Sequence, residues 1–405
     1  MRGDFVPIQC GDLLELPSFG AMTLVAGRGG LQRKLTWPYV GQTASVAQWV
    51  HGGELLFITG IGAARSPESL LLVAQECVAK GLCGLVILVG DEYIKEIPAA
   101  VIAVAEEAGL PLFRMPFDLK IIDVTSEIVD LIMQDKYERK RSKGFLERLL
   151  FADSGDTIPD DELAQTYSID LAPYRFVGIF YIGTDEGSVL DFPQMDKLKD
   201  SIQTTITGLC KQNGTPILSL ASGSNLICLL SGNTPERAQK QADYLRTVHQ
   251  MLTHLYAEED IYLSLGRICT ADTPVITSYQ QSLRALEICK CTPRKERIVA
   301  YDDLGVYRLF LQVSNPEELR RYYRYYLEPL QRYDRENRGD LVETLHQYLK
   351  NDGNLVRTSQ EMFIHRNTLV YRMNKIRELT GRSLDDATEK LELYNSILAK
   401  NFLGE

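Results

Sequence analysis

The chain has 405 residues, of which 45% are hydrophobic and 24% charged, a composition that excludes a disordered protein and, at about 100 to 200 residues per domain, predicts about three domains. It lacks a secretory signal pattern and any apolar run near the roughly 20 residues that span a bilayer, so we expect a cytoplasmic protein without membrane spans. The formal net charge of -10 excludes nucleic-acid binding by a broadly basic surface, so any such binding must rest on a local patch.

The N-terminal third alternates short apolar runs with helical patterns, as α/β domains do. Gly81 and Gly109 fall where helix ends need a residue that tolerates positive φ. Strands separated by helices favour a mainly parallel sheet, and we expect an α/β sensor domain over residues 1–135. The predicted strands are 55–59, 84–89 and 111–115, and the predicted helices are 67–80 and 98–108.

A long helical pattern covers residues 118–150 and ends in the charged run 136–143, which predicts a helical linker over residues 136–160. Such a helix can pair with its twin in a dimer or pack against its own domain, and the pattern does not decide between them. The Asp- and Gly-rich segment 153–161 is typical of a boundary loop.

A second α/β domain is predicted over residues 161–305, followed by a helical connector over 306–339. The run of Arg and Tyr at 320–326 in this connector is more typical of packing between domains than of stacking on nucleic acid. His249 and His254 are interpreted as surface or interface residues. The predicted strands are 176–182, 217–220, 225–230, 261–267 and 298–301, and the predicted helices are 196–211, 235–255 and 278–289.

The last part of the chain, residues 340–405, has the pattern of an all-α helix-turn-helix domain. A first helix carries leucines four residues apart from Leu341. Asn354 is a good N-cap for a short helix over 355–362, and the next helix covers 366–379. At about 100° per residue, Leu369, Met373 and Ile376 fall on one inner face of that last helix.

The opposite face of the 366–379 helix carries amide and basic side chains, with no acid before Glu378. Arg and Asn make bidentate contacts to guanine and adenine edges in the major groove. We expect residues 366–368 to read bases and side chains one turn further along to contact phosphates. The alternative is an ordinary helical hairpin with a basic outer face. The predicted DNA-binding residues are Thr358, His365, Arg366, Asn367, Thr368, Tyr371, Arg372 and Lys375.

The run His-Arg-Asn-Thr-Leu-Val-Tyr-Arg at 365–372, followed by Leu-Thr-Gly at 379–381, closely resembles the C-terminal domain of PucR-type (CdaR-like) transcriptional regulators. Segments 53–60, 110–112 and 301–305 resemble the family as well. The resemblance implies a dimeric regulator of a catabolic operon that binds promoter DNA and responds to a purine catabolite, an amino acid or an amine. Two departures are Ser359, where the family usually has Ala, and a turn at Phe363 that lacks glycine.

The predicted strand pair around 221–226 resembles the Gly-Gly-Asp-Glu-Phe hairpin of diguanylate cyclases, in the degenerate form that the regulator family carries. Phosphoryl transfer of that kind needs carboxylates to hold magnesium against the triphosphate, and Ser224 with Asn225 supplies none. We therefore predict that the protein has no cyclase activity, is not an enzyme and binds no cofactor. Neither the histidines nor the scattered cysteines have metal-site spacing, so no metal is expected. The rival hypotheses are a nucleotide-processing enzyme that uses the middle domain and a ligand-binding adaptor whose end domain binds protein.

The sequence indicates where an effector binds but not which effector it is. Ligands of parallel α/β sheets collect outside the carboxyl ends of the strands, which favours Thr59, Gly60 and the following loop to Arg65. Trp37 and Glu54 are weaker candidates, and two arginines are suited to an anionic effector. The full set of predicted effector-binding residues is Arg28, Trp37, Glu54, Thr59, Gly60, Arg65 and Arg114.

Overall fold

The computed structural model describes residues 8–61, 65–151, 158–183, 192–291 and 297–405. The chain divides into two compact units, Met1–Phe145 with Thr204–Lys211, and Leu146–Gln203 with Gln212–Glu405. Within the described residues, no helix combines the length and the apolar character that a bilayer span requires.

The first unit contains a five-stranded sheet in the order β1-β5-β4-β3-β2. Strands β2 to β5 are parallel, and β1 joins the edge antiparallel to β5, so the predicted mainly parallel sheet is confirmed. The three predicted strands correspond to β3, β4 and β5, whereas β1 and β2 were not predicted. The strands are β1 (Thr23–Ala26), β2 (Pro38–Gly41), β3 (Leu55–Ile58), β4 (Gly84–Val89) and β5 (Leu112–Pro116).

Both faces of this sheet are covered, which is why every residue of β3 and β4 is buried. Helices α1 (Pro67–Ala79) and α2 (Ala99–Glu107) supply one apolar layer, and α3 (Ile121–Phe151) contributes to the other. Gly81 and Gly109 have φ values of 64° and 56°, as helix ends require. Helix α3 continues without interruption across residue 135, where the sequence placed the end of the sensor domain.

The second unit contains a mixed five-stranded sheet in the order β10-β9-β6-β8-β7. Strands β7 and β8 form an antiparallel hairpin, and β8 and β9 flank β6 antiparallel to it. The strands are β6 (Tyr174–Gly183), β7 (Ile217–Ser222), β8 (Asn225–Gly232), β9 (Asp260–Leu265) and β10 (Ile298–Ala300). The helices between residues 158 and 291, of which α5 contains the Thr204–Lys211 segment of the first unit, are α4 (Asp160–Thr166), α5 (Phe192–Gln212), α6 (Pro235–Leu255) and α7 (Val275–Cys291).

The interpretation of His249 as a surface residue is wrong, because this residue is only 4% exposed. It shares a face of α6 with Leu245 and Leu252, four residues before and three after it, and both leucines are buried. The His249 Nε2 atom lies 2.8 Å from the Ile261 carbonyl oxygen. Burial lowers the pKa of this imidazole.

The C-terminal helices continue the second unit through one hydrophobic core, which extends from α7 and β10 to the last helix. In the Arg and Tyr run, Tyr323 is 3% exposed and the Tyr322 hydroxyl donates to the Glu392 carbonyl, so the packing prediction is confirmed for these two. Tyr325 is exposed. The last helix was not predicted. The helices are α8 (Tyr307–Phe310), α9 (Pro316–Asn337), α10 (Leu341–Lys350), α11 (Leu355–Glu361), α12 (Arg366–Thr380) and α13 (Ala387–Phe402).

Candidate nucleic-acid interface

Helices α11 and α12 form a helical pair whose ends are fixed by side-chain and backbone caps. The Asn354 Oδ1 atom accepts from the backbone N–H groups of Val356 and Arg357, both at 3.0 Å, and so caps α11 as the sequence predicts. His365 caps α12 by accepting from the Asn367 N–H through Nδ1 at 3.2 Å. At the other end, Gly381 has φ 65° and donates its N–H to the Arg377 carbonyl.

The turn between α11 and α12 is a Schellman motif. The Phe363 N–H donates to the Gln360 carbonyl at 3.2 Å, and the Ile364 N–H donates to the Ser359 carbonyl at 3.0 Å. Phe363 itself has φ 53°, in the left-handed region. The Ser359 hydroxyl donates to the Val356 carbonyl of its own helix, so this departure from the family pattern is accommodated.

The inner face of α12 is the one that the periodicity predicts. Leu369 and Ile376 are completely buried and Met373 is 3% exposed, all within the core shared by α9 to α13. This packing fixes the rotation of α12 about its own axis. The opposite face is therefore held toward the outside of the helical domain.

At its N-terminal end, the outer face of α12 is open. Arg366, Asn367 and Thr368 are all exposed, and Tyr371 one turn later is 63% exposed. Within the described part of the chain, the Arg366 guanidinium has no ion pair and no hydrogen bond. Four cations and the single acid Glu378 occupy α12, so the local charge is opposite in sign to that of the whole chain.

Two of the predicted phosphate contacts are already engaged within the protein. The Arg372 guanidinium donates to the Thr344 hydroxyl at 3.1 Å and to an Asp340 carboxylate oxygen at 3.3 Å, which ties α12 to the start of α10. Lys375 donates to Glu378 at 2.9 Å, and this hydrogen bond raises the pKa of the ammonium group. Both cations still contribute charge to the face, but their geometry is set by these partners.

Lys375 and Tyr371 also connect α12 to α9. The Lys375 Nζ atom lies 5.6 Å from the centroid of the Tyr333 ring. A hydrogen bond between the Tyr371 and Tyr333 side chains raises the pKa of the Tyr333 phenol. This contact was not predictable, because nothing in the pattern of α9 indicates which of its tyrosines meets α12.

The prediction that Thr358 binds DNA is wrong, because its side chain is completely buried and cannot reach DNA. Its hydroxyl donates to the Asn354 carbonyl at 2.8 Å and accepts from the Asn351 side-chain amide at 3.5 Å. The prediction missed this because a helix of seven residues has too few turns to reveal which face is inner.

The predicted effector residues do not form one site, because they lie at opposite ends of the parallel strands of the first sheet. These two sides of the sheet are called the carboxyl edge and the amino edge. Thr59, Gly60 and Arg65 follow β3 at the carboxyl edge. Trp37 precedes β2 and Glu54 precedes β3, at the amino edge. A four-residue strand separates the two edges by about 13 Å. Arg28 also lies at the amino edge, and Arg114 is an exposed residue within β5.

At the carboxyl edge, Arg65 acts as a loop anchor. Its guanidinium donates to the Thr43 carbonyl at 2.7 Å and, more weakly, to the carbonyls of Gly41 and Ala44 at 3.4 and 3.5 Å. Burial lowers the pKa of this guanidinium. The Thr59 hydroxyl accepts from the Ile61 N–H, which shapes the start of the next loop. Residues 62–64, also named as candidates, lie outside the described part of the chain.

Sequence reasoning missed Glu76 and Tyr93 at this same edge. The Glu76 carboxylate accepts from the Ser45 hydroxyl at 2.6 Å and from the Val46 N–H at 2.7 Å, so it holds the 41–47 loop from the other side. Tyr93 is 45% exposed, and its ring centroid lies 5.2 Å from that of Phe117. The available signal for Tyr93 was its position, since it lies in the loop after the buried strand β4.

The amino-edge candidates are explained by local structure. The Glu54 carboxylate accepts from the N–H groups of His51 and Gly52, at 2.9 and 2.8 Å, and so closes the turn before β3. Trp37 is 41% exposed, with the Lys136 ammonium 5.8 Å from its ring centroid. These contacts give Glu54 a structural role and leave Trp37 as an exposed ring covered on one side by a cation.

In the second sheet, the β7–β8 hairpin closes through the two-residue turn Gly223–Ser224, with Ser222 paired to Asn225. Lys199 donates to the Gly223 carbonyl at 3.0 Å and pairs with Asp196 at 2.8 Å. Within the described residues there is no group of three or more His, Cys, Asp or Glu side chains placed to hold a metal ion. The turn presents hydroxyl and amide groups, which are weak ligands for magnesium.

Comparison with known protein families matches three parts of the chain. Residues 12–132 match the purine catabolism regulatory protein-like family (PucR), 154–288 match a GGDEF-like domain, and 341–399 match the PucR C-terminal helix-turn-helix domain.

Among curated relatives, the chain is 26% identical to the DNA-binding transcriptional activator AdeR of Bacillus subtilis, over 45% of this chain and 43% of that protein. It is 28% identical to the carbohydrate diacid regulator of Escherichia coli, over 58% and 59%. In these two matches the chain spans about half the length of the relative. The purine catabolism regulatory protein of Bacillus subtilis is 20% identical over 94% of this chain and 97% of that protein. The chain therefore carries a PucR-like domain, a GGDEF-like domain and a PucR C-terminal helix-turn-helix domain, and it is similar to proteins that are named as transcriptional regulators.

Proposed function

We propose that this protein is a ligand-responsive transcriptional regulator of a catabolic operon, and that it binds promoter DNA as a dimer through α12. The observation that carries the proposal is the open N-terminal end of α12, where Arg366, Asn367 and Thr368 are exposed beside one another. Helix-turn-helix proteins place this end of the second helix against base edges.

The side chains at this end match the chemistry of the major groove. A guanidinium makes two parallel hydrogen bonds to guanine O6 and N7, and an amide does the same with adenine N6 and N7. Arg366 is available for this because none of the described residues occupies its guanidinium. Arg372 and Lys375 are assigned a supporting role, since both are bonded to neighbours in the same domain.

Dimerisation is part of the proposal, because one recognition helix reads only a few base pairs and paired half-sites multiply specificity. The proposed organisation is a sensor at 1–135, a helical linker at 136–160, a GGDEF-like domain at 161–305, a helical connector at 306–339 and the DNA-binding domain at 340–405, in a cytoplasmic protein. The core that continues from α7 through α9 to α12 supports coupling between the last two domains.

The proposed effector is a purine catabolite, an amino acid or an amine, bound at the carboxyl edge of the first sheet. Thr59, Gly60 and Tyr93 surround this edge, and Arg65 with Glu76 orders the 41–47 loop beside it. Binding there shifts the balance between DNA-competent and incompetent states only if the effector binds the two with different affinity. The names of the relatives, which include regulators of purine catabolism and of carbohydrate diacids, support a catabolic metabolite.

The DNA-binding proposal is tested with the DNA fragment that flanks the gene for this chain. The Arg366→Ala/Asn367→Ala protein is compared with wild type by fluorescence anisotropy. The matched control is Arg321→Ala/Asn337→Ala, which removes one exposed Arg and one exposed Asn from α9. We expect the α12 variant to lose about 30-fold or more in affinity, since each bidentate contact contributes ~1–3 kcal/mol. The control retains wild-type affinity.

Equal binding by the α12 variant and the wild type contradicts the assignment of these residues. Absence of salt-sensitive binding by the wild type favours the protein-binding adaptor instead. Incubation with GTP and Mg²⁺ tests the enzyme alternative, and formation of a cyclic dinucleotide would overturn the non-enzymatic assignment. The effector is sought by thermal shift with purine catabolites, amino acids and amines, because a ligand selective for the folded protein raises its Tm.

A further inference from the structure

Phe363, in the turn between α11 and α12, is the most exposed large hydrophobic side chain of the described residues, at 96%. It also has φ 53°, a left-handed conformation that bulky residues rarely adopt. It occupies the position of the Schellman motif where helices most often place glycine. Two independent features of this residue are therefore unfavourable for the folded chain on its own.

The turn does not need the phenyl ring. Its geometry is maintained by the backbone hydrogen bonds from Phe363 to Gln360 and from Ile364 to Ser359, which any residue with a backbone N–H can form. A side chain that is almost wholly exposed contributes no packing to the helical domain. Glycine would remove both the left-handed strain and the exposed aromatic surface. Residues held in such conformations occur preferentially at functional sites.

The position of Phe363 defines what it can meet. It lies two residues before the N-cap His365 and three before Arg366, so its Cα atom is within about 11 Å of the Cα atom of Arg366. A DNA groove that receives residues 366–368 therefore comes within reach of the phenyl ring. The only apolar group on the major-groove edges of the bases is the thymine C5-methyl, and Phe is among the side chains that contact it.

We propose that Phe363 is a specificity-determining residue that contacts the C5-methyl group of a thymine beside the bases read by the N-terminal end of α12. This inference rests on the proposed function, since it requires that α12 enters the major groove. The phenyl ring reads a position that the polar side chains of α12 do not.

The experiment combines a protein change with a DNA change. The flanking fragment is synthesised with either thymine or uracil, which differ only in the C5-methyl group. The Kd of wild type and of Phe363→Gly is measured on both fragments, and the thermal stability of both proteins is recorded. Leu391→Ala removes an exposed apolar side chain from α13 and is the control. Phe363→Asn is a second variant, because Asn also tolerates the left-handed conformation.

We expect the ratio of Kd on uracil DNA to Kd on thymine DNA to be at least about fourfold larger for wild type than for Phe363→Gly, the effect of one buried methyl. Phe363→Asn follows Phe363→Gly, and Leu391→Ala follows wild type. The Tm of Phe363→Gly is equal to or above that of wild type, which separates lost recognition from misfolding.

If the wild type binds DNA but the ratio of Kd on uracil DNA to Kd on thymine DNA is the same in Phe363→Gly, this inference is overturned. The proposed function is then unaffected. A Phe363→Gly protein that weakens equally on both fragments also overturns this inference, because the ring then contacts the sugar–phosphate backbone or protein. If Phe363→Gly converts a dimer into a monomer in sedimentation without DNA, the ring contacts a second copy of the chain and the inference is wrong. Failure of the wild type to bind either fragment removes the proposed function and this inference together.

Discussion

Replacing Arg372 by Ala separates two roles that the sequence alone does not distinguish. By its position on α12, Arg372 is predicted to contact a DNA phosphate, yet its guanidinium is bonded to Thr344 and Asp340. The Thr344 side chain is buried, so its hydrogen bond contributes about 1 kcal/mol. The Asp340 pair is largely exposed on the aspartate side and adds ~0.5 kcal/mol after solvent screening.

The expected result is a helical domain destabilised by about 1–2 kcal/mol, with little change in the salt dependence of DNA binding. A lost phosphate contact instead lowers the slope of log K against log salt by ~0.9. The assay measures Tm and fluorescence anisotropy between about 50 and 200 mM KCl, where this slope is well determined.

Arg372→Lys is the companion variant, because it keeps the charge but not the fork that reaches Thr344 and Asp340 together. We expect it to lose part of the stability and none of the salt slope. An Arg372→Ala protein with wild-type Tm and a slope reduced by about one would refute the structural role and restore the phosphate contact.

Thr358→Val is expected to lower Tm, since it removes a hydroxyl bonded to Asn354 and Asn351, while the affinity of the folded protein for DNA stays unchanged. Because burial lowers the pKa of His249 in the folded state, its contribution to stability is fully present above the unfolded pKa of about 6.5 and is lost as pH falls below it. His249→Gln should therefore reduce the difference in Tm between pH 7.5 and 5.5, and an unchanged difference would exclude this histidine as its source. Arg65→Ala releases the carbonyls of the 41–47 loop and should speed thermolysin cleavage there relative to Arg28→Ala, whose side chain is exposed.

Helices and strands with a clear hydrophobic pattern were predictable from the sequence. Helix α12 was found with its inner face, because Leu369, Met373 and Ile376 recur at helical spacing over about two turns. The buried strand β4 was found as a continuous apolar run bounded by glycines. Strands β1 and β2 were missed because each has only four residues and is partly exposed, whereas the equally short β3 is a completely buried apolar run.

At the candidate site, the sequence predicted which side chains of α12 are exposed, because their exposure follows from the helical period of the buried residues. Residues 366–368 lie where the pattern placed them. The partners of Arg372 and the burial of Thr358 depend on α10 and Asn351, whose spatial position no local pattern contains. The effector candidates were scattered because residue type alone does not indicate which edge of a sheet a side chain occupies. Glu76 was missed because its partners lie about 30 residues away in sequence.

Base reading by the N-terminal end of α12 is tested most directly by a base-by-base measurement of specificity. Every base pair of the operator is substituted in turn, and affinity is measured for wild type and for Arg366→Ala. We expect Arg366→Ala to lose discrimination at one position in each half-site, by ~1–3 kcal/mol, and to keep it elsewhere. An Arg366→Ala protein with the same specificity profile as wild type, or one weakened uniformly at every position, would contradict base reading by the N-terminal end of α12.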